Sequence, residues 1–169
     1  MKRRALCFFL LLSVFSSLVF RFSTSTVSAS DENTLMANRL INPGFESGSS
    51  YWTLGWNWSI SSESSETDSY SLKCAGTGGW SNTYQTIAVQ ENTDYILSFW
   101  GKNSYSTVYK VTGIDSQTNL TGDLRTNDLN IWTRYDVRFN SGSNASVKIF
   151  FADGGGTHYF DDMNLFSEG

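Results

Sequence analysis

The chemistry open to this chain rests on carboxylates and aromatic rings. Sixteen acids, one histidine (His158) and two cysteines (Cys7 and Cys74) stand among six Trp, eight Tyr and twelve Phe. A lone histidine and a single cysteine beyond the leader exclude most metal-finger, histidine-triad and disulfide-framework readings. No Gly-x-Ser-x-Gly elbow occurs. Two carboxylates on one face could cleave a glycosidic bond. Yet Glu63, Glu66, Asp68, Glu91, Asp115, Asp123, Asp128 and Asp153 fall mostly in turns. Asp161 and Asp162 are neighbours whose side chains leave a strand on opposite faces. No catalytic residue is expected. The rings offer binding instead: an outward aromatic can stack on the apolar face of a sugar while planar polar groups meet its hydroxyls.

The elements that must position these groups are strands. Tyr95, Leu97 and Phe99 alternate with Ile96, Ser98 and Trp100. Tyr135, Val137 and Phe139 alternate with Arg134, Asp136 and Arg138; Val147, Ile149 and Phe151 alternate with Lys148, Phe150 and Ala152. Met163 and Leu165 share one parity near the end. A period of two with Gly- and Asn-rich turns between runs predicts an all-β chain, a two-sheet antiparallel β-sandwich or jelly roll.

The first residues read as an address. Lys2, Arg3 and Arg4 precede an apolar run, and Val27-Ser28-Ala29 suits signal peptidase. The expected organisation is a signal peptide at 1–29, a short linker at 30–38 and one module at 39–167, secreted and extracellular. The alternative, an uncleaved anchor, is interrupted by Arg21. Without the leader, eight bases face sixteen acids, a net charge of −8. That excludes a nucleic-acid partner and an anionic membrane surface. A neutral partner or a cation fits better, and a monomer is expected. Cys74 is expected to be a buried thiol.

Several motifs now combine. The module opens Leu40-Ile41-Asn42-Pro43-Gly44-Phe45-Glu46-Ser47-Gly48, then Tyr51-Trp52. Ser69-Tyr70-Ser71-Leu72-Lys73 and Tyr84-Gln85-Thr86-Ile87 follow, then Thr93 to Lys102, then Trp132-Thr133-Arg134-Tyr135. It closes on Tyr159-Phe160-Asp161-Asp162-Met163-Asn164-Leu165. In this order the chain resembles the carbohydrate-binding modules grouped around families four, nine, sixteen and twenty-two, over about residues 39 to 167. The resemblance implies a galactose-binding-domain-like sandwich, a structural calcium and a polysaccharide or oligosaccharide ligand. Members are usually appended to glycoside hydrolases.

Strand parity adds to the calcium expectation. Asp161 shares the parity of Met163 and Leu165, the expected core side, and an unpaired inward carboxylate is costly. Glu46 could supply a second carboxylate. The resemblance adds backbone carbonyls at Gly44 and Tyr70. Otherwise Asp161 caps a turn or meets Arg39.

For the sugar, Trp56, Trp80, Tyr84, Tyr109 and Phe150 are expected to form the ligand face, with Trp58, Trp100 and Tyr105 behind them. Asn82, Gln85 and Arg134 are candidate hydrogen-bonding partners, although Gln85 has core parity and could serve the backbone instead. Trp52 and Trp132 are assigned to the core. The expected function is a secreted, non-catalytic carbohydrate-binding module with an aromatic-lined face. The alternatives are a β-sandwich for protein adhesion or cell-surface assembly, and a fragment or accessory part of a glycoside hydrolase.

Overall fold

A computed structural model describes residues 37–77, 81–115 and 117–168. The leader and residues 30–36 lie outside these, as does Trp80. Among the described residues there are nine strands and no helix. They are β1 Trp58–Ser61, β2 Ser71–Gly76, β3 Asn82–Ala88, β4 Asp94–Asn103, β5 Val108–Gly113, β6 Leu124–Arg125, β7 Thr133–Asn140, β8 Ser146–Ala152 and β9 Gly156–Ser167. One sheet runs β1-β2-β9-β4-β7 and the other β3-β8-β5-β6. Every pairing is antiparallel. The chain is the expected two-sheet β-sandwich.

The period of two sets what is buried. Tyr95, Leu97 and Phe99 of β4 meet Val147, Ile149 and Phe151 of β8, all without solvent exposure. Phe99 sits at the centre, its ring centroid 4.8 Å from Tyr109, 5.1 Å from Phe151 and 5.2 Å from Tyr135. Such offset and edge-on pairs add to the gain from burial itself. Cys74 is buried on β2, and burial pushes its thiol up to about 12, with Asp153 adding to the shift.

Two rings take places other than those expected. Trp58 is only 5% exposed, packs on Phe160 and donates its indole N–H to the Ser81 carbonyl. It starts β1 facing the core, so it belongs to the core and not to a ligand face. Trp132 is half-buried and stands outside the core cluster that Trp52 joins.

One irregularity positions a site. Ser98 of β4 pairs with Asn164 of β9, but Trp100 pairs with Asp161. Two residues of β9, Asp162 and Met163, therefore oppose Phe99 alone. Asp162 takes φ 48°, and the strand bulges there. The bulge shifts the phase of the strand. His158 and Phe160 face the core before it, and Met163 and Leu165 face the core after it.

Candidate functional site

The outer face of the four-stranded sheet holds a cleft of about 480 Å³. Its floor comes from alternate residues of three strands: Asn82 of β3, Phe150 and Ala152 of β8, and Val108 of β5. In register, Tyr84 stands opposite Phe150, and Phe150 opposite Lys110. A rung of two rings and one cation thus crosses the sheet. The Lys110 ammonium lies 5.3 Å from the Phe150 centroid, and the Lys148 ammonium 5.1 Å from that of Tyr84.

The β6 side of the cleft is ionic. Lys110 pairs with Asp123 at 3.2 Å, and the Asn119 amide donates to the same carboxylate oxygen at 3.1 Å. Arg125 stands opposite Val108 on the edge strand, exposed. The end of the cleft is closed by Tyr105, Ser106, Asp153 and Gly154. Gly154 is needed there, because a Cβ would lie 2.7 Å from the Ser106 carbonyl oxygen. Asp153 is buried and accepts the Asn57 side-chain amide and the Gly155 N–H. The surface therefore offers apolar ring faces beside donors and acceptors at fixed positions, which suits a ligand with apolar CH faces and a hydroxyl rim.

Of the residues expected on a ligand face, the structure brings Phe150 and Asn82 into the cleft, adds Tyr84 on the adjoining rung, and sets Tyr105 at the end. Trp56 is 71% exposed on the segment before β1, next to Asn57, which reaches the cleft wall through Asp153. Three expectations need correction. Tyr109 is 6% exposed and packs on Phe99, because Val108 and Lys110 take the outward phase of β5. Burial raises its hydroxyl pKa accordingly. Trp100 is half-buried and belongs to the other sheet, so it lies across the sandwich from Phe150. Arg134 is also on that other sheet, paired with Asp136 at 3.1 Å. Gln85 is buried and exchanges two hydrogen bonds with the Ile41 backbone. Lys110, Asp123 and Arg125 were not anticipated. The alternation of Val108, Lys110 and Thr112 against Tyr109 and Val111 is the signal that places Lys110 outward.

A second cluster gathers at the β9 bulge. Asp161 is fully buried. Its Oδ2 accepts the N–H groups of Glu66 and Thr67, at 2.9 and 3.4 Å, and its Oδ1 accepts that of Asp162 at 2.9 Å. Its cross-strand partner is Trp100, and Phe160 before it faces the core. The carboxylate therefore lies beneath the 62–70 connection on the outer face of the five-stranded sheet, and not on the core side. Glu46 accepts the N–H groups of Ser69 and Tyr70, at 3.1 and 2.8 Å. A Cβ on Gly44 would lie 3.7 Å from Asp161 Oδ1 and 3.9 Å from Asp162 Oδ1. Three chain segments meet here through carboxylates and backbone amides.

The calcium expectation turns on how Asp161 is satisfied. Burial pushes the Asp161 carboxyl up to about 6 against three amide donors. A carboxylate offers about four lone-pair sites, so three amides leave one free. Among the described residues no three acid, His or Cys side chains converge as a metal cluster. A calcium ion here would need backbone carbonyls beside the two carboxylates to complete its oxygen shell.

Comparison with known proteins bears on the family and the fold. The model of the carbohydrate binding domain family matches residues 37–157. TmCBM61, solved in complex with β-1,4-galactotriose, superposes with a TM-score of 0.61 at 20% identity, covering 78% of this chain and 99% of that one. A solved module described as CBM4 gives 0.59 at 18% identity, covering 76% and 99%. The CBM22-1 xylan-binding domain of Paenibacillus barcinonensis Xyn10C gives 0.56 at 16%, covering 73% and 90%. At these identities the likeness is one of fold. No curated protein sequence matches the chain.

Proposed function

The chain belongs to the carbohydrate binding domain family, and from that premise we propose that it is a secreted, non-catalytic module that holds a polysaccharide chain in the cleft of the four-stranded sheet. The observation that carries the reading is the outward rung of Tyr84 and Phe150 beside Asn82 and the Lys110–Asp123 pair. A sugar ring laid on Phe150 covers apolar surface that water otherwise wets, and Asn82, Lys110 and Asp123 are placed to meet hydroxyls at its edge. Trp56, exposed on the segment that runs beside β3, is a further ring open to a ligand. Solved members of the fold have been crystallised with a galactotriose and described as xylan-binding.

The test is affinity-gel retardation on a panel of soluble polysaccharides. Phe150→Ala and Tyr84→Ala should each weaken retention by about 1–3 kcal/mol, taking base–aromatic stacking as the nearest measured analogue. Their melting temperatures should stay near that of the wild type. Wild-type retention on no polysaccharide, with capture by a protein surface instead, would favour the adhesion alternative.

We further propose that the Asp161 cluster binds a structural calcium ion with Glu46, Gly44 and Tyr70. Support comes from a buried carboxylate that has three amide donors and no cationic partner among its hydrogen bonds. Such an ion would clamp the opening segment, the 62–70 connection and β9 together. It lies on the opposite sheet from the cleft, so its role is in stability.

A further inference from the structure

The cleft carries a charge pattern that the whole-chain balance of acids conceals. Four ionisable side chains of opposite sign line it: Lys110, Arg125, Asp123 and Asp153. Three already have partners. Asp153 is buried and accepts the Asn57 amide and the Gly155 N–H. Asp123 and Lys110 hold each other. Arg125 alone among them has no side-chain hydrogen bond or ion pair with the described residues, and its guanidinium is exposed. On the other sheet the exposed guanidiniums of Arg134 and Arg138 are both paired, with Asp136 and Glu168. The two banks of the cleft also differ. Asn82 of β3 gives one neutral side, and β6 with Lys110 of β5 gives one ionic side.

A guanidinium presents a planar fork of donors that matches a carboxylate in two parallel hydrogen bonds. Placed at the edge strand beside a ring floor, it would meet a carboxyl group projecting sideways from a sugar that lies on Phe150. We propose that the cleft selects polysaccharides bearing uronic acid carboxylates, with Arg125 as the residue that recognises them. This rests on the glycan-binding reading above. The module's overall negative charge does not oppose it at physiological salt, where charges more than about 8 Å apart are largely screened.

The experiment compares each acidic polymer with itself after its carboxyl groups have been reduced to alcohols. Glucuronoxylan and polygalacturonate, intact and carboxyl-reduced, are run in affinity gels at about 0.15 M salt, alongside neutral β-1,4-galactan and unsubstituted xylan. Wild type should bind at least one intact acidic polymer about tenfold more tightly than its reduced form, the scale of one charge-assisted hydrogen-bond pair. Arg125→Gln should melt like wild type and bind both forms equally. Equal wild-type retention of intact and reduced forms, or retention of neutral polymers only, overturns the uronate inference and leaves glycan binding standing. An Arg125→Gln variant that keeps the full preference overturns the assignment to Arg125. Retention of no polymer overturns both the glycan reading and this inference.

Discussion

The outer faces of the two sheets are made of similar residues and are used in opposite ways. The five-stranded sheet carries Trp100, Tyr159, Lys73, Lys102 and Arg134. There each cation is already engaged. Lys73 meets Glu63 at 2.6 Å, Tyr159 donates to the same carboxyl group at 3.1 Å, and Lys102 reaches Ser64 at 3.2 Å. The Lys73 and Tyr159 bonds hold the Glu63 carboxyl below its usual range. The 62–70 connection supplies these partners and also roofs Asp161. Among the described residues no such roof covers the four-stranded sheet: Phe150 and Arg125 line an open cleft. Aromatic and basic content therefore does not mark a binding face. What marks it is whether the chain's own loops have already used its hydrogen-bonding capacity.

The sharpest test of that distinction contrasts Trp58 with Phe150. Both are large rings in a tryptophan- and phenylalanine-rich module, but one is buried against Phe160 and the other floors the cleft. Trp58→Ala should destabilise the fold by about 3–5 kcal/mol, as buried aromatic truncations do. Thermal melting should show it as a large drop. Unchanged melting with lost glycan retention would return Trp58 to the ligand face and undo the comparison.

Next in size is the effect of calcium, which acts on the roofed face. An ion at a hundred times its dissociation constant stabilises the folded state by about 2.7 kcal/mol. Melting with calcium and with a chelator should differ accordingly in the wild type, and the two curves should coincide for Asp161→Ala. Glycan retention by folded protein should not depend on the ion. Coincident wild-type curves would leave the Asp161 cluster as a carboxylate satisfied by turn amides alone.

Much of this was legible in the sequence, and the failures have separate physical causes. The alternation in β4, β7, β8 and β9 gave the sandwich, because a half-buried strand imposes its period on the side chains. The burial of Asp161 was legible but its side was not: the bulge at Asp162 shifts the phase, so counting parity back from Met163 gave the core. Tyr109 was misplaced because a tyrosine fits either face of a short strand, whereas Lys110 beside it fits only one. Trp100 and Arg134 were correctly read as outward. Which sheet they face outward from depends on strand order, a long-range property that no local pattern carries. Arg125 was illegible for the same reason, since β6 is only two residues long and its place beside β5 comes from the fold.

Acid sensitivity should be a smaller effect, and it reports on the cleft's end wall. His158 is buried beneath the turn between β8 and β9, with Nε2 2.7 Å from the Gly155 carbonyl oxygen and Nδ1 3.2 Å from Asn103 Oδ1. Burial lowers its pKa from 6.5. The unfolded chain therefore takes up the proton first as pH falls. Its contribution to stability is complete above about 6.5 and is lost as pH falls toward the folded value. The wild type minus His158→Gln difference in melting temperature, measured from neutral to acidic pH, should shrink as pH drops. A flat difference would show that this histidine is protonated equally in both states.

The smallest expected effect is the one that most directly separates the faces. Glu63→Gln removes the carboxylate that holds Lys73 and Tyr159 on the roofed sheet. Trp100→Ala truncates the half-buried ring opposite Asp161. Neither residue lines the cleft, so neither substitution should change retention on any polysaccharide that Phe150→Ala releases. Exposed ion pairs contribute little to stability, because water and salt compete for both partners. Glu63→Gln should accordingly melt close to wild type. The Trp100 variant should lose some stability through the contacts of a half-buried ring and keep its binding once compared at a temperature where it is folded. Retention lost in either variant, with melting intact, would mean that the roofed face also holds the glycan, and that self-pairing of cations there does not exclude a ligand.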